Sequence, residues 1–199
     1  LSKSITNDNI LFSNNSLIVN DEKGNIIIFS VQENKIITKF NFYKKKIKNI
    51  NKKINLIIEE NIIYASDNIG YLYALNIKTG QLIWAKNYKV PFRSNLKVID
   101  NKLITSSQNN DLYFFDKKSG ELLKFIPTEE TVIKNQFINN LSVTGEKNLL
   151  FLNTYGSLYS IDVRTMKIIW FINLNRSTDI NPSNLFMSNE IDNYSNKIL

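Results

Sequence analysis

The stretch that decides the fold is GYLYALNIKTGQLIW at residues 70–84, because its pattern returns further along the chain as GSLYSIDVRTMKIIW at residues 156–170. Two weaker copies are NDLYFFDKKSGELLK at residues 110–124 and GNIIIFSVQENKIIT at residues 24–38. In chain order, the starts of successive copies lie 46, 40 and 46 residues apart. Self-similarity at a nearly constant spacing indicates that the chain is built from one repeated supersecondary unit.

Each copy has the chemistry of a β-hairpin. Its first half, such as residues 71–76, is rich in large apolar and aromatic side chains, as strands are. That half ends at a short polar residue, whose side chain can accept a backbone N–H bond from two residues on and so begin a turn. In three copies this residue is Asn76, Asp116 or Asp162. The second half, such as residues 82–84, is again apolar and predicts the returning strand.

The turn itself predicts a residue with positive φ. Gly80 and Gly120 stand four positions after the polar residue, where a positive φ lets the chain reverse. Asn34 takes this place in the first copy, and Asn tolerates the left-handed conformation. Met166 takes it in the fourth copy, so we predict that the fourth turn is looser or differently shaped.

Two further strands precede each hairpin, separated by turn-prone pairs such as Asp100-Asn101. Four strands per unit and a period of ~40–50 residues predict an all-β fold, a β-propeller of four-stranded antiparallel blades. We expect one propeller domain over residues 1–199, with blades at approximately 9–41, 54–87, 94–126 and 140–174 and an incomplete fifth at 184–199. Because a propeller closes by joining its last blade to its first, we expect a fragment of a seven- or eight-bladed ring.

Composition removes several function classes. The chain contains neither Cys nor His, which excludes disulfides, thiol nucleophiles, zinc sites and His-based catalysis from these residues. The net charge is +7, but the excess is nearly all Lys spread along the chain, so we do not predict nucleic-acid binding. The sequence starts at Leu1 rather than Met, and we expect a missing upstream segment, the place for any lipid-anchoring Cys.

The hairpin motif resembles the tryptophan-docking motif of quinoprotein-type (PQQ-like) propellers, A-x-D-x-x-T-G-x-x-x-W. The residues that carry the resemblance are Gly70, Ala74, Asn76, Thr79, Gly80 and Trp84 in the second copy, Asp116, Ser119 and Gly120 in the third, and Gly156, Asp162, Thr165 and Trp170 in the fourth. The third and first copies depart from the motif with Lys124 and Thr38 at the Trp position. In that family the Trp packs between neighbouring blades and holds them together like a staple. The resemblance therefore implies a structural role for Trp84 and Trp170.

The same family includes dehydrogenases that hold PQQ and Ca²⁺ at the ring centre, so a fragment of such an enzyme is one alternative. A Ca²⁺ site needs about six to eight oxygen ligands, usually including several carboxylates. Acidic residues here occur as adjacent pairs: Asp21-Glu22, Glu59-Glu60 and Glu129-Glu130. Neighbours on a strand point to opposite faces, so such pairs rarely share a metal. We therefore predict a non-catalytic protein without a cofactor, and expect PQQ and calcium only under the alternative.

Two segments between blades are candidates for partner binding. The first is basic and contains Lys44, Lys45, Lys46 and Lys48. A solvated loop is the simpler interpretation, and contact with an acidic partner or anionic lipid is the sharper one. The second is the long stretch 127–139, in which Glu129, Glu130, Ile133 and Phe137 are the candidate binding residues, since long loops in compact repeats often carry binding.

Among the non-enzymatic members, the sequence looks most like outer-membrane assembly factors of the BamB type. That resemblance implies a periplasmic, outer-membrane-associated scaffold that binds protein partners, namely the β-barrel assembly machinery and unfolded outer-membrane proteins. Strand edges offered to extended chains would serve such binding. A second alternative is a ligand-sensing propeller ectodomain, which would carry a membrane span outside this sequence.

Overall fold

The structure is a computed structural model, and it describes residues 10–43, 47, 49–129, 140–145 and 147–174, together with the backbone of two short strands near the C-terminal end. These residues form β-strands and connecting turns, and they contain no α-helix. Accordingly, the described part of the chain has no helix that could cross a membrane.

Four antiparallel sheets of four strands each make up the fold, and within every sheet the strands lie side by side in chain order. Blade 1 contains β1 (Leu11–Ser13), β2 (Ser16–Asn20), β3 (Ile26–Ser30) and β4 (Lys35–Phe40). Blade 2 contains β5 (Ile54–Glu59), β6 (Ile62–Asp67), β7 (Tyr71–Asn76) and β8 (Leu82–Asn87). Blade 3 contains β9 (Lys97–Ile99), β10 (Lys102–Ser106), β11 (Leu112–Asp116) and β12 (Leu122–Ile126). Blade 4 contains β13 (Asn140–Thr144), β14 (Asn148–Leu152), β15 (Ser157–Asp162) and β16 (Lys167–Asn173). The predicted all-β fold with four-stranded antiparallel blades is confirmed.

The incomplete fifth blade falls mostly outside the described residues. Only β17 (Asn193–Tyr194) and β18 (Lys197–Ile198) are described there, as a two-stranded antiparallel sheet. The extent of the predicted single domain, and the expected seven- or eight-bladed ring, stay predictions.

The chain forms two compact units, Leu1–Pro91 with blades 1 and 2 and Phe92–Leu199 with blades 3 and 4. Each unit has its own apolar core, made where the facing sides of its two blades meet. In the first unit the core residues are Ile18, Ile26, Ile28, Ile54, Leu56, Ile63, Ala65, Tyr73, Leu75 and Ile77. In the second they are Ile99, Ile104, Leu112, Phe114, Ile126, Leu141, Leu149, Phe151, Tyr159, Ile161 and Val163.

Position within a blade decides how a strand is buried. The second and third strands are covered on both faces, so their residues are almost all buried. The last strands, β4, β8, β12 and β16, lie at the sheet edge and are largely exposed. Both halves of the hairpin motif are apolar, but only the first half, which forms the third strand, is buried. The second half forms the fourth strand and is largely exposed.

A β-bulge recurs at the same point in every last strand. The register of pairing between the third and fourth strands shifts once in each blade, and the extra residue is Ile37, Ile83, Leu123 or Ile169. Each is the second member of an adjacent aliphatic pair, and both members of all four pairs are exposed. A bulge bends its strand and raises the local twist, which breaks the strict alternation of the two faces.

The four hairpin turns share one backbone conformation. Gly80 and Gly120 have φ of 66° and 72°, as predicted, and Asn34 has φ of 49°. Met166 has φ of 53°, so the prediction of a differently shaped fourth turn is wrong. The Asp162 carboxylate accepts the N–H groups of Arg164 and Thr165, and these bonds hold the turn with Met166 at the reversal.

We expect Gly80→Ala to be clearly more destabilising than Gly145→Ala. Both glycines have positive φ, which costs an alanine about 1–2 kcal/mol. A Cβ at Gly80 would also lie 2.3 Å from Cγ2 of Thr38, whereas a Cβ at Gly145 meets nothing within 4 Å. The extra overpacking is expected to lower the free energy of unfolding by about 1–3 kcal/mol more, measured by urea denaturation. Equal losses for the two variants would contradict the close packing at Gly80.

Candidate functional site

The hairpin turns are closed by a short polar side chain in every blade. Oδ1 of Asn76 accepts the N–H groups of Lys78 and Thr79 at 2.9 and 3.1 Å. The Asp116 and Asp162 carboxylates accept from the residues two and three positions on, at 2.8–3.0 Å. These N–H donors lower the pKa of both carboxyls, with the backbone N–H of Ser119 and of Thr165 having the largest effect. The polar side chains of the motif thus stabilise the hairpin turns to which they belong.

A second set of turns, between the second and third strands, is buried. Its polar residues are Asp21, Asp67, Ser107 and Asn153, and three positions later each turn has a residue with positive φ: Gly24, Gly70, Asn110 and Gly156. In blade 2, Oδ1 of Asp67 accepts three backbone N–H groups at 2.8 Å each. The sequence reasoning missed this set, although a short polar residue three positions before each repeat start was its visible signal.

In the first unit these turns hold a buried cluster of charged and phenolic groups. The Tyr43 hydroxyl donates to Oδ2 of Asp67 at 2.6 Å, which joins the segment after blade 1 to the turn of blade 2. Nζ of Lys52 lies 4.9 Å from the centre of the Tyr43 ring and donates to the Ile47 carbonyl. The ring also lies over Gly24, where a Cβ would come within 2.3 Å of it. Tyr43, Lys52 and Asp67 are all buried.

Burial shifts the pKa values in this cluster. It raises the pKa of Asp67 despite four hydrogen bonds that lower it, and it raises the pKa of the Tyr43 hydroxyl. It lowers the pKa of Lys52, against the attraction of Asp67 and Asp21. One buried cation therefore lies near two buried carboxylates. Removing these charges from water costs free energy, which the hydrogen bonds of the cluster offset.

The second unit has a counterpart at the corresponding place, made of amide and hydroxyl groups together with the Glu129 carboxylate. The Asn110 side chain donates to the Glu129 carbonyl at 3.1 Å and accepts from the Thr154 hydroxyl at 2.8 Å, so blades 3 and 4 are linked. The Ser157 hydroxyl donates to the Glu129 carboxylate. Glu129 follows its repeat start by as many residues as Tyr43 does, and both join the end of one blade to a turn of the next.

Of the candidate partner-binding residues, only Glu129 lies among the described residues. Glu129 is half-buried and bonded to Ser157, so its carboxylate is engaged inside the unit. The remaining candidates, Lys44, Lys45, Lys46, Lys48, Glu130, Ile133 and Phe137, lie outside the described residues. Their role in binding stays a prediction.

The two tryptophans differ in their surroundings. Trp84 is half-buried, with its ring centre 6.3 Å from that of Tyr64 in the same blade. Trp170 is 40% exposed on β16. At the same repeat position in blade 1, Thr38 packs against Gly80 of blade 2, which places this position at the seam between two blades. The staple role of the two Trp residues stays a prediction.

Two open cavities are found in the first unit. One, of about 450 Å³, is polar and is lined by Glu22, Lys23, Asn25, Asn41, Asn49 and Asn51. The other, of about 510 Å³, is lined by Asn14, Ser16, Ile37, Asn61, Ile77 and Lys78, and we call it the seam groove. Within the described residues, no three Asp or Glu side chains converge where a metal ion could be held.

Residues 23–188 match the family described as outer membrane protein assembly factor BamB. The chain belongs to this family. It is 25% identical over 119 residues to the BamB of Francisella tularensis subsp. tularensis, an alignment that covers 58% of this chain and 26% of that protein. The chain thus spans about a quarter of the length of this curated relative.

Solved structures show the same fold as these BamB-family blades. The crystal structure of BamB from Moraxella catarrhalis has a TM-score of 0.61 at 11% identity, covering 78% of this chain and 49% of that one. The computationally designed Ika4 protein has a TM-score of 0.64 at 14% identity, covering 81% and 93%. At such low sequence identity, these solved structures support the fold alone. Together with the family match and the curated relative, they confirm the predicted PQQ-like, BamB-like propeller.

We expect Tyr43→Phe to destabilise this BamB-family chain by about 1–3 kcal/mol, because the buried Asp67 carboxylate loses a hydrogen-bond donor. Tyr71→Phe is the control, since the half-buried Tyr71 meets Phe42 and Tyr43 through its ring. Urea denaturation measures both. A loss at Tyr43 no larger than at Tyr71 would show that the hydrogen bond contributes nothing.

Asp67 and Asp116 are expected to give opposite pH dependences. Because the pKa of Asp67 is raised in the folded state, this carboxylate binds a proton at a higher pH when the chain is folded than when it is unfolded. Relative to Asp67→Asn, the wild type therefore gains stability as the pH falls from 7 toward the unfolded value of about 4. The pKa of Asp116 is lowered, so relative to Asp116→Asn the wild type loses stability as the pH falls below about 4.

Unfolding free energies of the three proteins between pH 7 and pH 3 provide the measurement. A difference between wild type and Asp67→Asn that stays constant with pH would contradict the burial cost assigned to this carboxylate.

Proposed function

We propose that this chain is part of a non-catalytic, periplasmic scaffold of the BamB type, which binds protein partners during the assembly of outer-membrane β-barrel proteins. The observation that carries the proposal is the match to the BamB family over residues 23–188. The partners we propose are the β-barrel assembly machinery and unfolded outer-membrane proteins. No PQQ or calcium is needed for this role.

The surface of the last strands supports binding of extended chains. β4, β8, β12 and β16 each pair with one strand only among the described residues, so each has an edge where a further strand could add. The exposed aliphatic pairs at the bulges lie on these same strands. Backbone groups at the edge would supply affinity for any extended segment, and the aliphatic side chains would favour apolar clients.

The buried polar groups are compatible with a scaffold. The side chains at the buried turns are engaged by backbone N–H groups and by neighbouring blades. Such bonds fix the positions of the blades within each unit. In this proposal the interior gives rigidity and the strand edges give recognition.

We expect the purified chain to bind a urea-unfolded outer-membrane β-barrel protein upon dilution, measured by biolayer interferometry with the chain immobilised. Leu123→Lys and Ile169→Lys are expected to weaken binding several-fold, because each places a charge on a strand edge. The matched control is Ile50→Lys, which changes an equally exposed aliphatic outside the strands (48%, against 44% for Leu123) and should bind as the wild type does.

An unfolded α-helical protein of similar length serves as the second control. Equal binding of the two unfolded proteins, or no binding of either, would overturn the proposed function.

A further inference from the structure

The seam groove lies next to the position in blade 1 where the repeat motif departs from Trp. Thr38 stands at the motif position that holds Trp84 in blade 2 and Trp170 in blade 4. Thr has only a hydroxyl and a methyl group beyond Cβ, whereas Trp has a bicyclic indole. Blade 1 therefore lacks the bulk that the same position supplies in the two other blades.

This position faces the second blade. Thr38 pairs across the sheet with Ile28, and Ile28 belongs to the core between blades 1 and 2. Opposed residues of neighbouring strands share a face, so Thr38 points to the same side. The close approach of its methyl group to Gly80 confirms that its side chain touches the hairpin turn of blade 2.

The groove opens beside this contact. Ile37 precedes Thr38 on β4, and Ile77 and Lys78 belong to the turn that contains Gly80; all three line the groove. Its volume of about 510 Å³ is in the range of ligand-binding clefts, ~300–1,000 Å³. Ile77 is buried and belongs to the core, so the groove gives access to the apolar interior of the first unit.

The lining determines what would fit. Ile37 and Ile77 supply apolar surface, and Lys78, exposed on the turn, supplies positive charge; none of the described lining residues is acidic. Asn14 and Asn61 stand at the groove with their amides bonded to each other at 3.4 Å, a weak bond whose groups can also bond a peptide backbone. The edge of β4, which pairs only with β3 among the described strands, runs past the opening.

We infer that the seam groove binds an extended segment of a partner protein by taking one of its aromatic side chains, with an acidic residue of the segment beside Lys78. The aromatic ring of the partner packs against Ile37 and Ile77, the apolar residues that line the groove. This inference rests on the proposed function, since it takes from it that the chain binds extended polypeptides, and it adds the place and the chemistry of one contact.

The probe is a fluorescein-labelled five-residue peptide with a central Trp flanked by Thr and with Asp at both ends, titrated with the full chain by fluorescence anisotropy. We expect saturable binding that is lost when the central Trp is replaced by Ala. Thr38→Trp enlarges the side chain next to the groove and is expected to abolish binding, with a lowered Tm because the indole crowds the turn that contains Gly80. Lys78→Glu is expected to weaken binding about tenfold, because it reverses the charge opposite the peptide's acids.

Ile37→Asp and Ile50→Asp form the matched pair. Both residues are aliphatic with nearly the same exposure, 46% and 48%, but only Ile37 lines the groove. The first variant should lose the peptide and the second should keep it. If Thr38→Trp does not fold, this pair and Lys78→Glu decide the question.

Unchanged binding to Thr38→Trp or to Ile37→Asp, or equal binding of the peptide with Ala, would overturn the inference. A wild-type chain that binds the unfolded β-barrel protein but not the peptide would overturn the inference and leave the proposed function standing. Peptide binding without binding of the unfolded barrel protein would support the groove and remove the proposed function.

Discussion

In every blade the polar residue that opens the turn between the second and third strands is buried, and the backbone N–H groups of that turn find an acceptor in its side chain. A residue with positive φ completes the reversal three positions later. At Gly24 the missing side chain makes room for the Tyr43 ring. The segment that connects the two blades can therefore lie directly on the turn. The packing of neighbouring blades within a unit thus depends on the side chain that accepts the hydrogen bonds of this turn.

The two units meet the same need with different chemistry. The first opens its turns with carboxylates, Asp21 and Asp67, and buries Lys52 beside them. The second opens its turns with the neutral Ser107 and Asn153, and the Ser107 hydroxyl donates to the buried Asp111 carboxylate. Burying charges costs more than burying neutral groups, and only a complete set of partners offsets the cost. The first unit, which buries a cation together with two carboxylates, is therefore expected to be sensitive to the loss of a single partner.

The repeats predicted from the sequence correspond to the blades, because period, alternation and turn chemistry are local properties of the chain. Gly80, Gly120 and Asn34 have the expected conformation for the same reason. Met166 was predicted wrongly, since the hydrogen bonds of Asp162 determine that turn more strongly than the preference of Met. The burial of Lys52 was not predicted, because the carboxylates near it, Asp21 and Asp67, come from other parts of the chain and meet it only after folding.

The recurring bulge has a consequence for how long a bound chain stays. A bulge interrupts the regular row of backbone donors and acceptors along the free edge of each last strand, leaving a short regular stretch on either side. A segment that adds to such an edge forms few hydrogen bonds, and each contact breaks quickly. Several short edges on one chain can together retain a client while every single attachment keeps exchanging. Such fast exchange would suit the proposed scaffold, because a chain bound only for assembly has to leave again.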